Sequence, residues 1–176
     1  MPVCQTSAMT WSRWKIAGLL FIIGGALTII AALLGVAGSP VGGWIGLFGL
    51  LLEGAAFVLF GLGFSGVRAR RWIPWLYVIA GALMLVTALL SMVGGGFGAA
   101  AFVVQLAIAA LILVASVLLL SARSSDRFLC IALIVLGALL ALALFVSNVV
   151  LALLIGAVYI VVGILVWGVR LGRRRP

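Results

Sequence analysis

The sequence predicts an all-α polytopic membrane protein, in which six transmembrane helices form three parallel hairpin repeats with a pseudo-threefold arrangement. Three observations support this prediction. The composition is too apolar for a water-soluble domain, six apolar stretches of membrane-spanning length follow one another, and one phrase occurs three times at intervals of fifty-six residues. The phrase reads GALTIIAALL from Gly25, GALMLVTALL from Gly81 and GALLALALFV from Gly137.

The composition excludes a soluble domain. Hydrophobic residues make up 68% of the 176 residues and charged residues only 7%, whereas a soluble domain carries about 25% charged residues. Most of the surface must therefore face lipid. The net charge of +9 does not indicate nucleic-acid binding, because the basic residues lie in clusters between apolar runs, where they orient membrane proteins. We expect the lipid bilayer as a partner, with anionic headgroups at the arginine clusters.

Each apolar stretch is close to the roughly 20 residues that a helix needs to cross the hydrocarbon core. The last two stretches are separated only by Ser147 and Asn148. Together they are about twice as long as one crossing requires, so a tight hairpin is predicted between them. Residues 1–13 show no organised pattern and are predicted to be a poorly ordered cytoplasmic tail, with Met9 as an alternative start. The predicted spans are 16–37, 44–67, 73–93, 99–120, 128–147 and 149–169, within a transmembrane domain of residues 14–175 whose hairpins cover 14–71, 72–127 and 128–175.

The connections between the spans alternate in charge. Those after the first, third and fifth spans, GSPVGG, GGGFG and SN, carry no charge. All basic residues lie in the N-terminal tail or after the second, fourth and sixth spans. The positive-inside rule assigns that side, and with it both termini, to the cytoplasm. The basic residues are Arg13, Lys15, Arg68, Arg70, Arg71, Arg123, Arg127, Arg170, Arg173, Arg174 and Arg175.

Small residues recur at matching depths in the three hairpins. The odd spans align on the first glycine of the repeated phrase, and the even spans align on the arginine that ends each one. Helices in lipid associate through close backbone approach at small residues, so these positions are predicted to be helix-packing contacts. They are Gly25, Gly81 and Gly137 in the odd spans, and Ala55, Ala110 and Ala157 with Gly61, Ser116 and Gly163 in the even spans.

Three tandem hairpins with arginine-rich turns, and phrases such as LLLEGAAFVLFGL and AVYIVVGILVWGVRLGRRR, resemble the HdeD-like family of acid-resistance membrane proteins. The resemblance covers residues 14 to 175. It departs from the family in its turns, because only SPVGG resembles the Pro-Gly turn that often follows the odd helices there. The resemblance implies a bacterial inner-membrane protein involved in acid or envelope stress, with no catalytic residues to carry over.

Glu53 is the one acidic residue within a predicted span. A charged carboxylate near the bilayer centre costs roughly 2.5 kcal/mol or more, so the neutral acid is favoured there. Thr28, Thr87 and Gln105 lie at similar depth on the same side of the midplane, and these residues form a candidate polar cluster with Glu53. Tyr159 is the least supported further candidate. Three roles for Glu53 stay open, namely a hydrogen bond between helices, a proton-responsive group, and an ion or substrate site.

The remaining residues argue against an enzyme. The chain has no histidine, and no pair of acidic residues falls within the membrane, so neither nucleophilic nor two-carboxylate catalysis can be assembled. Cys4 and Cys130 lack the spacing of a metal site, and no cofactor motif is present. The alternative function is a small transporter or permease-like subunit that uses Glu53 for a proton or a small solute. A homo-oligomer, or a complex with another membrane protein, stays open.

Overall fold

The computed structural model describes residues 5–64, 72–93, 98–121, 127–146 and 148–168. Within these residues all regular structure is helical, and the six predicted helices are present. Most of the arginines lie outside the described residues. The helices are α1 Gln5–Val36, α2 Val41–Phe64, α3 Ile73–Met92, α4 Gly98–Ser121, α5 Arg127–Ala143 and α6 Val149–Gly168.

Five of the helices are long and apolar enough to cross a membrane, which is consistent with a multi-pass membrane protein. The exception among the described helices is α5, which has 17 residues and ends four positions before the predicted boundary at Ser147. The reason is a turn, in which the Phe145 amide donates to the Leu142 carbonyl oxygen. Asn148 Oδ1 then accepts a hydrogen bond of 3.0 Å from the Val150 amide and caps the start of α6.

Helix α1 begins earlier than the sequence analysis predicted. It starts at Gln5 and has 32 residues, so residues 5–13, predicted as a tail before the first span, are helical. The physical reason is that this segment contains neither glycine nor proline, and the first glycine of α1 is Gly18. Nothing in this segment interrupts the helix, which therefore extends toward the N-terminus from the apolar residues that follow the segment.

The six helices form a closed ring in chain order. Each helix packs against the helices before and after it, and α6 packs against α1. Neighbours are antiparallel: Gly18 on α1 faces Gly163 near the end of α6 while Gly25, further along α1, faces the earlier Gly156, and Gly61 near the end of α2 faces Pro74 at the start of α3. The odd helices therefore begin at one end of the ring, called here the basic end because of its charged segments, and finish at the other, called the neutral end.

The turn between α1 and α2 at the neutral end depends on one glycine. Gly38 has φ +69°, a backbone conformation that favours glycine because a side chain would clash there. Its amide donates to the Gly35 carbonyl oxygen and the Ser39 amide donates to the Leu34 carbonyl oxygen. This is the Schellman pattern of a helix C-terminus, and it allows α2 to start again at Val41.

Close backbone contacts hold α1, α2, α3 and α6 together. A Cβ atom at Gly25 would lie 2.6 Å from the carbonyl oxygen of Gly156, and one at Gly81 would lie 2.5 Å from that of Gly54. Neither distance is compatible with a side chain. At Gly137 the nearest atom is a side-chain carbon of Leu113, so the α4–α5 contact is less close.

The predicted packing positions divide into two groups. Ala110 and Ala157 are exposed on the outside of the ring, and their prediction as helix contacts is wrong. Each immediately follows the residue that packs, Ala109 and Gly156, because one residue along a helix turns the side chain by about 100°. Ala55 is half-buried beside the buried Gly54. The other six, Gly25, Gly61, Gly81, Ser116, Gly137 and Gly163, are buried.

Burial in the odd helices recurs at the interval of the repeated phrase. Five of the six buried residues described in α1 have buried equivalents fifty-six and one hundred and twelve positions later, and the equivalents of the sixth, Trp14, lie outside the described residues. In the even helices the register is counted from the arginine that follows each one, and Gly54, Ala109 and Gly156, each fourteen residues before that arginine, are all buried. The buried sets in the odd helices are Ala17, Ile73 and Leu129; Gly18, Pro74 and Cys130; Phe21, Tyr77 and Leu133; Gly24, Ala80 and Leu136; and Gly25, Gly81 and Gly137.

Candidate functional site

Glu53 lies inside the ring and is 4% exposed. Its Oε1 atom accepts a hydrogen bond of 2.7 Å from the hydroxyl group of Thr28, which joins α2 to α1. Two glycines make room for this pair. A Cβ atom at Gly24 would lie 2.7 Å from the Glu53 Cγ atom, and one at Gly49 would lie 3.3 Å from Thr28 Oγ1.

Tyr159 on α6 is the nearest described ionisable neighbour of this carboxyl group. Its side chain is fully buried, and its hydroxyl group is close enough to interact electrostatically with Glu53. The hydroxyl group nevertheless makes no well-formed hydrogen bond with any described residue. Buried hydroxyl groups in proteins are rarely left without a partner, so Glu53, Thr28 and Tyr159 form an incompletely satisfied polar group inside the bundle.

A second buried polar pair joins α3 to α4. The hydroxyl oxygens of Tyr77 and Ser116 are 2.8 Å apart, and Ser116 Oγ donates to the Ile112 carbonyl oxygen at 2.6 Å. Because a serine hydroxyl group has a single proton, Tyr77 must be the donor to Ser116. The sequence analysis predicted Ser116 only as a packing residue and did not predict this pair. The signal was available, since a buried tyrosine usually finds a hydrogen-bond partner.

Aromatic side chains fill the ring on the basic side of Glu53. Phe21 and Phe57 meet edge to face with ring centroids 4.9 Å apart, and Phe60 meets Tyr77 in the same way at 5.1 Å. Rings packed like this are close to their preferred geometry. The cluster comprises Trp14, Phe21, Phe57, Phe60, Tyr77 and Tyr159.

Two cavities lie on the neutral side of Glu53. The smaller has a volume of about 150 Å³ and lies between α2, α3, α4 and α5. The larger, of about 350 Å³, lies between α1, α5 and α6. Ala143, in the last turn of α5, contributes to the walls of both. The smaller cavity is lined by Leu50, Met84, Gln105, Ile108, Leu140, Ala143 and Leu144.

The cavities reach the depth of Glu53 without including it. Ile108 lines the smaller cavity and Ile155 lines the larger one, and both occupy the position in their helices that Glu53 occupies in α2. The carboxyl group of Glu53 instead points to Thr28 on the α1 side. Leu50, one helical turn from Glu53, is the residue of α2 in the cavity wall. Glu53 is therefore adjacent to an open space but separated from it by apolar side chains.

The structure separates the four residues of the predicted polar cluster. Thr28 lies beside Glu53, but the Thr87 hydroxyl group donates to the Leu83 carbonyl oxygen of its own helix at 2.8 Å. Gln105 is exposed and lines the smaller cavity, where it makes no hydrogen bond with any described residue. Sequence depth therefore located all four residues in the same half of the bundle but did not give the direction of Thr87 or Gln105.

No group of three or more metal-binding side chains occurs among the described residues. Of the two cysteines, Cys130 is buried and Cys4 lies outside the described residues. Comparison with protein-family models, with curated proteins and with solved structures finds no match to this chain.

Proposed function

We propose that the chain consists of three copies of one helical hairpin, arranged around an axis along the membrane normal. The period of burial supports this, because equivalent residues of α1, α3 and α5 are buried together. The contacts between hairpins support it further. The first glycine of each repeated phrase faces the even helix that precedes it in the ring, through Gly156, Gly54 and Leu113 respectively.

The protein is a non-enzymatic inner-membrane protein of the HdeD-like type, with its basic end in the cytoplasm, and it acts in resistance to acid or envelope stress. The resemblance described above supplies the stress role, and the charge of the connecting segments supplies the orientation. The observation that carries the non-catalytic role is the environment of Glu53. Its carboxyl group is buried, hydrogen-bonded to Thr28, and absent from the walls of both described cavities.

A second function, transport of a proton or a small solute, is favoured by the cavities themselves. They lie on the neutral side, and Leu50, one helical turn from Glu53, lines the smaller one. An ionisable residue within the membrane commonly marks a transport path. In this function Glu53 would exchange a proton with the neutral side, while the aromatic cluster would close the path toward the basic end.

One experiment distinguishes the two functions. A bacterial strain that lacks the gene is complemented with the wild-type chain, with Glu53→Gln or with Glu53→Leu, and survival in strongly acidic medium is counted at matched membrane levels of protein. We expect the wild type and Glu53→Gln to restore survival equally, because a glutamine carbonyl oxygen still accepts the hydrogen bond from Thr28. Ala110→Leu, on the exposed face of α4, is the matched control and should behave as wild type.

Failure of Glu53→Gln to restore survival, at normal protein levels, would instead support a proton-dependent role of Glu53 such as proton exchange, since the hydrogen bond from Thr28 does not need a titratable side chain. Loss of the gene with no effect on survival in acid or under other envelope stress would remove the stress role altogether.

A further inference from the structure

The smaller cavity also has the properties of a binding site for a small ligand. Its volume is about 150 Å³, and an apolar cavity of that size in another protein binds benzene. Six of its seven lining side chains are aliphatic, and among them only the carboxamide of Gln105 is polar. Apolar walls with a single polar group are typical of sites for small organic ligands.

Gln105 has an unused hydrogen-bonding group. Its carboxamide bonds to no described residue, although the residue lies seven positions into α4, about 10 Å from the helix start. At that depth in hydrocarbon an amide without a partner is costly. Asn148, the amide beside the larger cavity, differs in this respect, because its side-chain oxygen accepts a hydrogen bond from the Val150 amide.

The uncharged walls of the smaller cavity limit the charge that a ligand can carry. No described residue that lines the smaller cavity is charged, so a charged molecule would lose its hydration without gaining a counter-ion. A carboxamide both donates and accepts hydrogen bonds, and it therefore complements a hydroxyl group or another amide. We propose that the smaller cavity binds an uncharged small amphiphile, with an apolar body about the size of benzene in the cavity and one hydroxyl or amide group on Gln105.

This inference does not depend on the stress role or on transport. It follows from the size of the cavity, its aliphatic walls and the unpaired amide. The space exists because α5 ends early, at Ala143. The cavity wall there is formed by Ala143 in the last turn of α5 and by Leu144 in the turn that follows.

The test uses the full chain in lipid nanodiscs and a diazirine derivative of benzyl alcohol, which has a benzene-sized body and one hydroxyl group. After photolysis, labelled peptides are identified by mass spectrometry, and unlabelled benzyl alcohol is added as competitor. We expect saturable labelling in the peptides that contain Met84, Ile108 or Leu140. Toluene, which lacks the hydroxyl group, should compete roughly 3- to 10-fold less well, as expected for the loss of one hydrogen bond.

The variants make the test specific. Gln105→Leu should abolish the difference between benzyl alcohol and toluene as competitors while leaving labelling by the apolar body in place. Ala143→Phe should fill the cavity and remove saturable labelling, whereas Ala110→Phe on the exposed face of α4 should not. The comparison in Gln105→Leu still tests the proposal if Ala143→Phe fails to fold.

Three results would overturn the proposal. They are labelling that benzyl alcohol does not reduce, equal competition by benzyl alcohol and the benzylammonium ion, and an unchanged preference for benzyl alcohol over toluene in Gln105→Leu. The first of these would indicate that the cavity holds water or lipid chains instead.

Discussion

The two halves of the bundle differ in how the space inside the ring is filled. On the basic side, aromatic rings from α1, α2, α3 and α6 meet one another, and the largest fully buried side chains, such as Trp14 and Phe21, lie there. On the neutral side the inward positions carry aliphatic residues such as Leu50, Ile108 and Leu140, and cavities of about 150 and 350 Å³ remain between them. Glu53 and Tyr159 lie at the border between the two halves.

The comparison indicates what sets the packing of a small ring of helices in lipid. Lipid provides little hydrophobic drive between helices, so side-chain shape and backbone approach must supply the association energy. A ring of six helices has a wide centre, and only large side chains such as Phe57 and Tyr77 fill it. We therefore expect the basic half to be the more stable part of the fold, while the neutral half keeps space that a ligand can occupy.

The largest expected effect comes from truncating the same residue type in each half of α5. Leu133 is fully buried on the basic side, and Leu133→Ala should lower the free energy of unfolding by about 2–5 kcal/mol, as for buried leucines elsewhere. Leu140, seven residues later, already borders the smaller cavity, so Leu140→Ala should cost well under half as much. Reversible unfolding in mixed micelles, followed by tryptophan fluorescence, measures both.

Equal losses for the two leucine variants would contradict the difference in packing between the halves. Ala138→Ser on the exposed face of α5 serves as the control and should leave the unfolding free energy nearly unchanged.

The second prediction concerns the backbone contacts of the ring. Gly81→Ala places a Cβ atom against the backbone of Gly54 and Val58, and the forced separation of α2 and α3 should cost about 1–3 kcal/mol. Gly43→Ala is the matched control, because a Cβ atom there has nothing within 4 Å, and alanine favours the helix by somewhat under 1 kcal/mol. The same unfolding assay should give opposite signs. A neutral Gly81→Ala variant would mean that the helices can separate freely at this contact.

Sequence reasoning predicted the helices well but predicted only partly in which direction their side chains point. Hydropathy and charge located all six helices because the membrane imposes both signals along the chain. Thr28 was found beside Glu53 because the two lie at the same depth on consecutive antiparallel helices. Depth does not specify direction around a helix axis, which is why Gln105 faces a cavity and Thr87 bonds to its own helix. The cavities themselves depend on the shapes of many side chains together and on where α5 ends, and no local pattern encodes that.

The smallest expected effect concerns two tyrosines, Tyr77 within the basic half and Tyr159 at the border between the two halves. Tyr77 donates a hydrogen bond to Ser116 within the packed half, so Tyr77→Phe should lower the free energy of unfolding by about 0.5–1.5 kcal/mol. Tyr159 is equally buried, but its hydroxyl group lacks a well-formed hydrogen bond with the described residues. Tyr159→Phe should therefore be neutral or slightly stabilising, because it removes a buried polar group that gains little from folding.

The same unfolding assay compares both variants. Phe57 stacks against Tyr77 with ring planes 3° apart, and a phenylalanine at position 77 keeps a ring in this contact, so the variant removes only the hydroxyl group. If Tyr159→Phe is as destabilising as Tyr77→Phe, the hydroxyl group must have a stabilising partner, either the Glu53 carboxyl group beside it or a bound water molecule. A water molecule there would extend the open half further into the ring than the cavities do and would bring it into contact with Glu53.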